Sequence, residues 1–156
     1  MRKLLKLVGF VALVGYLSVS LAALIIKRLR PSRGGPEDDE VDLVSVYGGL
    51  EFVSRANAFR RGTLLTMFGG SQVDLRDVTL DPAGASFEVH TIFGGTAIIV
   101  PEGWRVTIDA TSVCGGYENK VAVDDLPAGA PELAIRAWTI FGGFAVSPSP
   151  ERPGNG

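Results

Sequence analysis

One histidine, one cysteine and a scatter of carboxylates are the reactive groups this 156-residue chain offers for catalysis or metal binding. A histidine-based triad would have to use His90 as its base, and a His-rich metal cluster is excluded. His90 alternates with Val89 in the stretch FEVHTIF, which predicts an outward-facing strand residue. Cys114, in SVCGG, is expected to be a buried small apolar side chain rather than a reactive thiol. Of the acidic clusters, Asp124-Asp125 begins a turn and Glu37 to Glu40 lies in a tether, and neither has the alternating oxygen-ligand spacing of a calcium loop. Asp74, Glu88 and Asp109 fall in different predicted strands and could meet on a surface, but no basic residues cluster there to hold an anionic substrate. Trp104 and Trp138 are expected to finish the core or its rim rather than stack on sugars. These residues predict a non-enzymatic chain without catalytic residues, metal or cofactor.

Charge narrows the partners further. Of 15 Lys and Arg residues, seven lie in residues 1–33 and eight beyond, whereas all 17 Asp and Glu lie from Glu37 onward. The formal net charge of −2 therefore conceals a basic N-terminus and a strongly acidic remainder. Nucleic acid is excluded as a partner, because a phosphate-binding surface needs clustered Lys and Arg to release counterions. Arg55, Arg60 and Arg61 form the one local basic group beyond the N-terminus, and a solvated turn explains them.

The basic N-terminus brackets an apolar run. Leu7 to Ile26 is a stretch of 20 residues without a charge, matching the roughly 20 needed to cross a bilayer as a helix. A cleaved secretory signal has a shorter apolar region, about 7 to 15 residues, and no basic cluster behind it. Here Lys27, Arg28, Arg30 and Arg33 follow, so the expectation is a retained single-pass anchor at residues 1–30 with the cell membrane as its location. Basic residues flank both ends almost equally, but the KRLRPSR cluster suits an anionic cytoplasmic leaflet. The soluble part is accordingly expected in the cytoplasm.

Residues 31–40, PSRGGPEDDE, combine Pro, Gly and four consecutive acids, too polar to offset chain entropy by burial, and predict a mobile tether. From Val41 the vocabulary changes to VDLVSV, SFEVHTIF, TAIIV, WRVTID and ELAIRAWTIF, short β-branched and aromatic runs separated by Gly, Pro and Asp. This predicts an all-β domain over 41–147, with PSPERPGNG supplying a disordered tail at 148–156.

Glycine pairs set a ruler along that domain. They fall at Gly48-Gly49, Gly69-Gly70, Gly94-Gly95, Gly115-Gly116 and Gly142-Gly143, in steps of 21, 25, 21 and 27 residues. Each follows one member of the series Tyr47, Phe68, Phe93, Cys114 and Phe141. Segment 78–95 also matches segment 121–143, with Pro82 and Gly84 answered by Pro127 and Gly129, so two coils make one unit used about twice. Periods of this size imply a solenoid. The predicted architecture is a short single-stranded right-handed β-helix built from glycine-punctuated coils, preceded by one transmembrane helix. Glycine pairs would form stacked corners, and the bulky residue before each would point inward as the main source of stability.

The motifs FGGSQVDL, TIFGGTAIIVPEGWRVTID, SVCGG and TIFGGFAV resemble the C-terminal, toastrack-type domain of LiaF-like cell wall-active antibiotics response proteins, over roughly residues 44–147. The resemblance implies a β-solenoid interaction module in a membrane system that senses or restrains the response to envelope stress. This chain differs in having one predicted span instead of several, and in carrying Cys114 where a repeat aromatic is expected.

The favoured expectation is a membrane-anchored regulatory module that binds an unidentified membrane or signalling protein. The alternative is a structural solenoid that self-associates at the membrane. A small-ligand role has no convergent polar group behind it. A topology reporter fused after Gly156 is expected to report a cytoplasmic C-terminus; an extracytoplasmic signal would reverse that assignment.

Overall fold

In a computed structural model, which describes residues 2–122 and 124–149, the chain divides into two compact units meeting at Pro31 and Ser32. The N-terminal unit is helix α1, Arg2–Leu29. Its uninterrupted apolar residues favour a helix, Lys27 and Arg28 complement the dipole at its C-terminal end, and Pro31 follows where the helix can no longer continue. Residues Leu4–Leu29 are long and apolar enough to cross a membrane.

The second unit contains five strands: β1 (Glu40–Val53), β2 (Arg61–Asp74), β3 (Ala85–Pro101), β4 (Arg105–Asn119) and β5 (Glu132–Ser149). They form one wholly parallel sheet in the order β1-β2-β3-β5-β4. The glycine pairs stand in register across it, Gly48 beside Gly69, Gly69 beside Gly94, Gly94 beside Gly142 and Gly142 beside Gly115. The two segments most alike in sequence become direct neighbours, with Thr91 beside Thr139 and Phe93 beside Phe141. The order departs from simple succession: β5 lies between β3 and β4, so the series runs Tyr47, Phe68, Phe93, Phe141, Cys114 in space.

Each strand turns sharply at its glycine pair. Thr66 Oγ1 and Ser71 Oγ lie 2.7 Å apart, and Thr91 Oγ1 and Thr96 Oγ1 2.9 Å, although the members of each pair are five positions apart in the chain. A straight strand would carry them about 17 Å apart. One residue per strand (Val46, Met67, Ile92, Ile140 and Val113) also drops out of the lateral register just before the corner. The bend explains the β3–β4 link. Pro101 and Arg105 are joined by three residues, which reach about 14 Å at most, whereas an unbent β3 would be about 55 Å long.

Apolar side chains fill the space enclosed by the bend. Phe87, Leu64, Val89, Ile98, Leu133 and Val146 come from strands on both sides of the corner, and Phe59, Leu75, Leu80, Trp104 and Val121 come from the connections. A parallel bridge between Phe59 and Leu80 links two of those connections. Gly62 leaves room for the Phe87 ring, on which a Cβ would fall.

Two expectations are revised. Residues 32–40 are not a free tether but fold onto the domain. Arg33 forms an antiparallel bridge with Asp42, with N–H···O distances of 2.7 and 2.8 Å, Ser32 Oγ accepts from Val44 N at 2.9 Å, and Asp39 O accepts from Arg60 N at 2.8 Å. Backbone hydrogen bonds at the start of β1 offset the ordering of this polar segment. At the other end Pro148 and Ser149 belong to β5; the remainder of the expected tail, 150–156, lies outside the described residues.

The first glycine of a pair carries the corner. Gly69, Gly94 and Gly142 have φ between 131 and 137°, and a Cβ on each would fall on the carbonyl oxygen of the adjacent strand's first glycine. A Cβ on Gly95 would meet the Gly143 carbonyl oxygen at 3.9 Å, an ordinary van der Waals contact. Chemical denaturation should therefore find Gly94→Ala destabilised by roughly 3 kcal/mol or more, and Gly95→Ala changed by less than about 1 kcal/mol.

Candidate functional site

The bulky residues before the glycine pairs were expected inside, and they stand outside. Tyr47, Phe93 and Phe141 are 41, 40 and 46% exposed, Phe68 is half-buried, and Cys114 is exposed. The reason is volume. The inner side of the corner is closed by the Thr66–Ser71 and Thr91–Thr96 hydroxyl contacts, which leave no room for a phenyl ring, so the aromatic swings to the convex side. The interior corner instead carries a polar row of Ser45, Thr66, Thr91 and Thr139, all buried. Thr66 and Thr96 hydroxyls, 3.4 Å apart, join two of its rungs. The Cys114 thiol was expected to be buried and is exposed, because it shares the register position of the outward rings, beside Phe141.

Outside, the rings form a continuous stack. Centroids of Tyr47 and Phe68 are 5.3 Å apart, those of Phe68 and Phe93 5.2 Å, and those of Phe93 and Phe141 4.9 Å, with planes within 10° of parallel. Parallel in-register pairing places like residues side by side, and the strand spacing sets the ring spacing. Two residues farther along every strand, the second glycines Gly49, Gly70, Gly95, Gly143 and Gly116 floor a shallow furrow of about 870 Å³ that crosses all five strands. Glu51 and Glu118 stand at its two ends, on β1 and β4, and Gln72, Ala97 and Ala145 between them.

The remaining candidates disperse. His90 is exposed on β3, as expected, with its ring centroid 6.5 Å from that of Trp138 and the two planes at 61°. Trp138 is 41% exposed whereas Trp104 is buried, so the tryptophans separate into rim and core. Glu88 and Asp109 do meet on one face, flanking Arg136 at 4.0 and 3.9 Å across a depression of about 380 Å³. Asp74 is apart from them, buried and gripped by Arg76 through Nε at 2.9 Å and Nη2 at 2.7 Å. The hydrogen bond to Asp74 raises the Arg76 pKa above its ordinary value, burial opposes this, and the charges of Asp74 and Asp77 reinforce it. Arg60 and Arg61 pair with Asp81 and Glu40 at 3.1 Å each. Asp124 and Asp125 occupy a turn. Among the described residues, no three His, Cys, Asp or Glu side chains converge as a metal ligand set.

The buried hydroxyl row escaped the sequence reading, although Thr66…Ser71 and Thr91…Thr96, each five apart around FGG, carried its signal. Alternation places Thr66 inward and resumes at Ser71, so parity changes across the corner.

No family model matches the chain, and no solved structure matches it. Two curated relatives do, the uncharacterized proteins of Mycobacterium tuberculosis strains CDC 1551 / Oshkosh and ATCC 25618 / H37Rv. Each is 29% identical over 126 residues, which cover 79% of this chain and 62% of the relative. The chain thus spans under two thirds of the length of the relatives it matches.

Inside and outside positions should respond differently to truncation. Phe87→Ala, which empties a fully buried site, is expected to cost about 3 to 5 kcal/mol in denaturant titrations. Phe93→Ala, which loses two stacking contacts on the surface, should cost about 1 to 2 kcal/mol.

Proposed function

We propose that this chain is a membrane-anchored, non-enzymatic interaction module of the LiaF-like, toastrack type, acting in the cell-envelope stress response with its β domain on the cytoplasmic side. The β domain is a short solenoid. In favour of that geometry are the bends that return each strand toward the start of the next and the parallel Phe59–Leu80 bridge on the closing side. The apolar helix is the anchor, in agreement with its length, its composition and the basic residues at both ends.

One observation carries the binding role: the exposed stack of Tyr47, Phe68, Phe93 and Phe141 beside an open glycine furrow. Contiguous exposed apolar surface is costly in water, and on soluble domains it marks interaction sites. Aromatic residues supply large, rigid contact area, and they dominate interface hot spots. The furrow leaves backbone and ring edges accessible to a partner segment, while Glu51 and Glu118 place negative charge at its ends.

Site-specific photocrosslinking in intact membranes tests this reading. A photoreactive residue at Ala97 should yield a discrete product with a different protein, and the product should vanish in a folded Phe68→Ser/Phe93→Ser/Phe141→Ser variant. Absence of any heterologous product, or its persistence in the triple variant, would overturn the proposal.

A further inference from the structure

We infer that the outer edge of β4 pairs with the same edge of a second copy of this chain, antiparallel, about a two-fold axis at the Cys114–Gly115 corner. The two ends of the sheet are unlike each other. At β1 the chain covers the start of its own edge, through the Arg33–Asp42 bridge and Ser32 Oγ against Val44. At β4, among the described residues, β5 is the only strand partner, and the other side presents unpaired backbone groups. Exposed edges are normally blunted by charge, proline or a covering segment. Residues 110–117, ATSVCGGY, contain neither charge nor proline, and Val113 and Tyr117 are 65 and 55% exposed. The β4 edge therefore has the composition of a strand that expects a neighbour.

A second copy fits better than an unlike chain because β4 is self-complementary. A two-fold axis along the bisector of a bent strand maps the half before the corner onto the half after it, so bent strands can pair without straightening. Core-facing residues must meet core-facing residues. Before the corner Ser112 lies in the inward row of Thr91 and Thr139; after it, Tyr117 lies in the inward row of Thr96 and Phe144. Placing Ser112 opposite Tyr117 of the second copy sets Ala110 opposite Asn119 and Asp109 opposite Lys120. The charges then match at both ends, and no like charges oppose each other. Ser112 Oγ, buried without a hydrogen-bond partner among the described residues, comes to lie in a row closed by another chain. Head-to-tail stacking of β4 onto β1 is obstructed at Asp42 and Val44, so the contact closes as a pair instead of growing into a filament. This inference is independent of the partner reading: it uses the end of the sheet, whereas that one uses the convex ridge.

The test uses the full chain in membranes and in mild detergent. The two Cys114 residues would be diagonal neighbours across the axis, within disulfide reach, so mild oxidation should give a species of twice the chain mass that Cys114→Ser abolishes. Sedimentation should show Asp109→Lys and Lys120→Asp each weakening the dimer about tenfold, and the double variant recovering it. That recovery cannot come from loss of the loose Asp109–Arg136 contact within one chain. A wild-type chain that sediments as a monomer at micromolar concentration, or a double variant no better than the singles, would overturn the inference. Retention of the dimer in the Phe68→Ser/Phe93→Ser/Phe141→Ser variant is expected and separates this contact from the ridge.

Discussion

Close approach of backbones at the corner governs the rest of the β domain. Each carbonyl of a first glycine sits where the next strand's first glycine would carry its Cβ, so the strands can stack in parallel register through a sharp bend only if that atom is missing from rung after rung. Once the bend is allowed, both halves of every strand face a shared interior, and residues as far apart in the chain as Leu64 and Val146 fill it. The same constraint fixes the lateral register. A one-residue slip would bring a side chain against a carbonyl and turn apolar residues outward.

With the corner in place, the division between inside and outside follows. The concave side is too tight for rings and accommodates hydroxyls, which satisfy one another at 2.7 to 3.4 Å. The convex side has no such limit, and the aromatics stack there at the strand spacing. Stability therefore comes mainly from aliphatic and aromatic side chains on the flanks and in the connections, while the ridge keeps its apolar surface in solvent. A chain that retains exposed rings when aliphatic residues fill its core has surface available for recognition.

Much of this was legible in the residues themselves. The helix was visible as an uncharged apolar run, the strands in β-branched alternation, and the shared corner in the recurrent glycine pairs from Gly48-Gly49 to Gly142-Gly143. Three features were not. The direction of Phe68 and its equivalents depends on a residue dropping from register just before the corner, which resets the period-two pattern that sequence reasoning extrapolates. The docking of residues 32–40 depends on hydrogen bonds to the edge of β1, which composition does not reveal. The exchange of β4 and β5 is invisible because a glycine ruler gives spacing along the chain without telling which coil adjoins which. Of the candidate site, the participating residues were readable from their repetition, whereas their exposure required the corner geometry.

The placement of β5 between β3 and β4 also has a consequence for how the chain comes together. Strands β1 to β3 can zip up in the order in which they emerge from the ribosome, each finding its neighbour already formed. Strand β4 cannot, because its lateral partner is synthesised last, and its uncharged stretch 110–117 stays unpaired until β5 threads into the gap. Delayed non-local pairing of this kind slows folding and exposes the waiting strand to wrong partners, so the interval between synthesis of β4 and β5 is when the nascent chain is most vulnerable to aggregation.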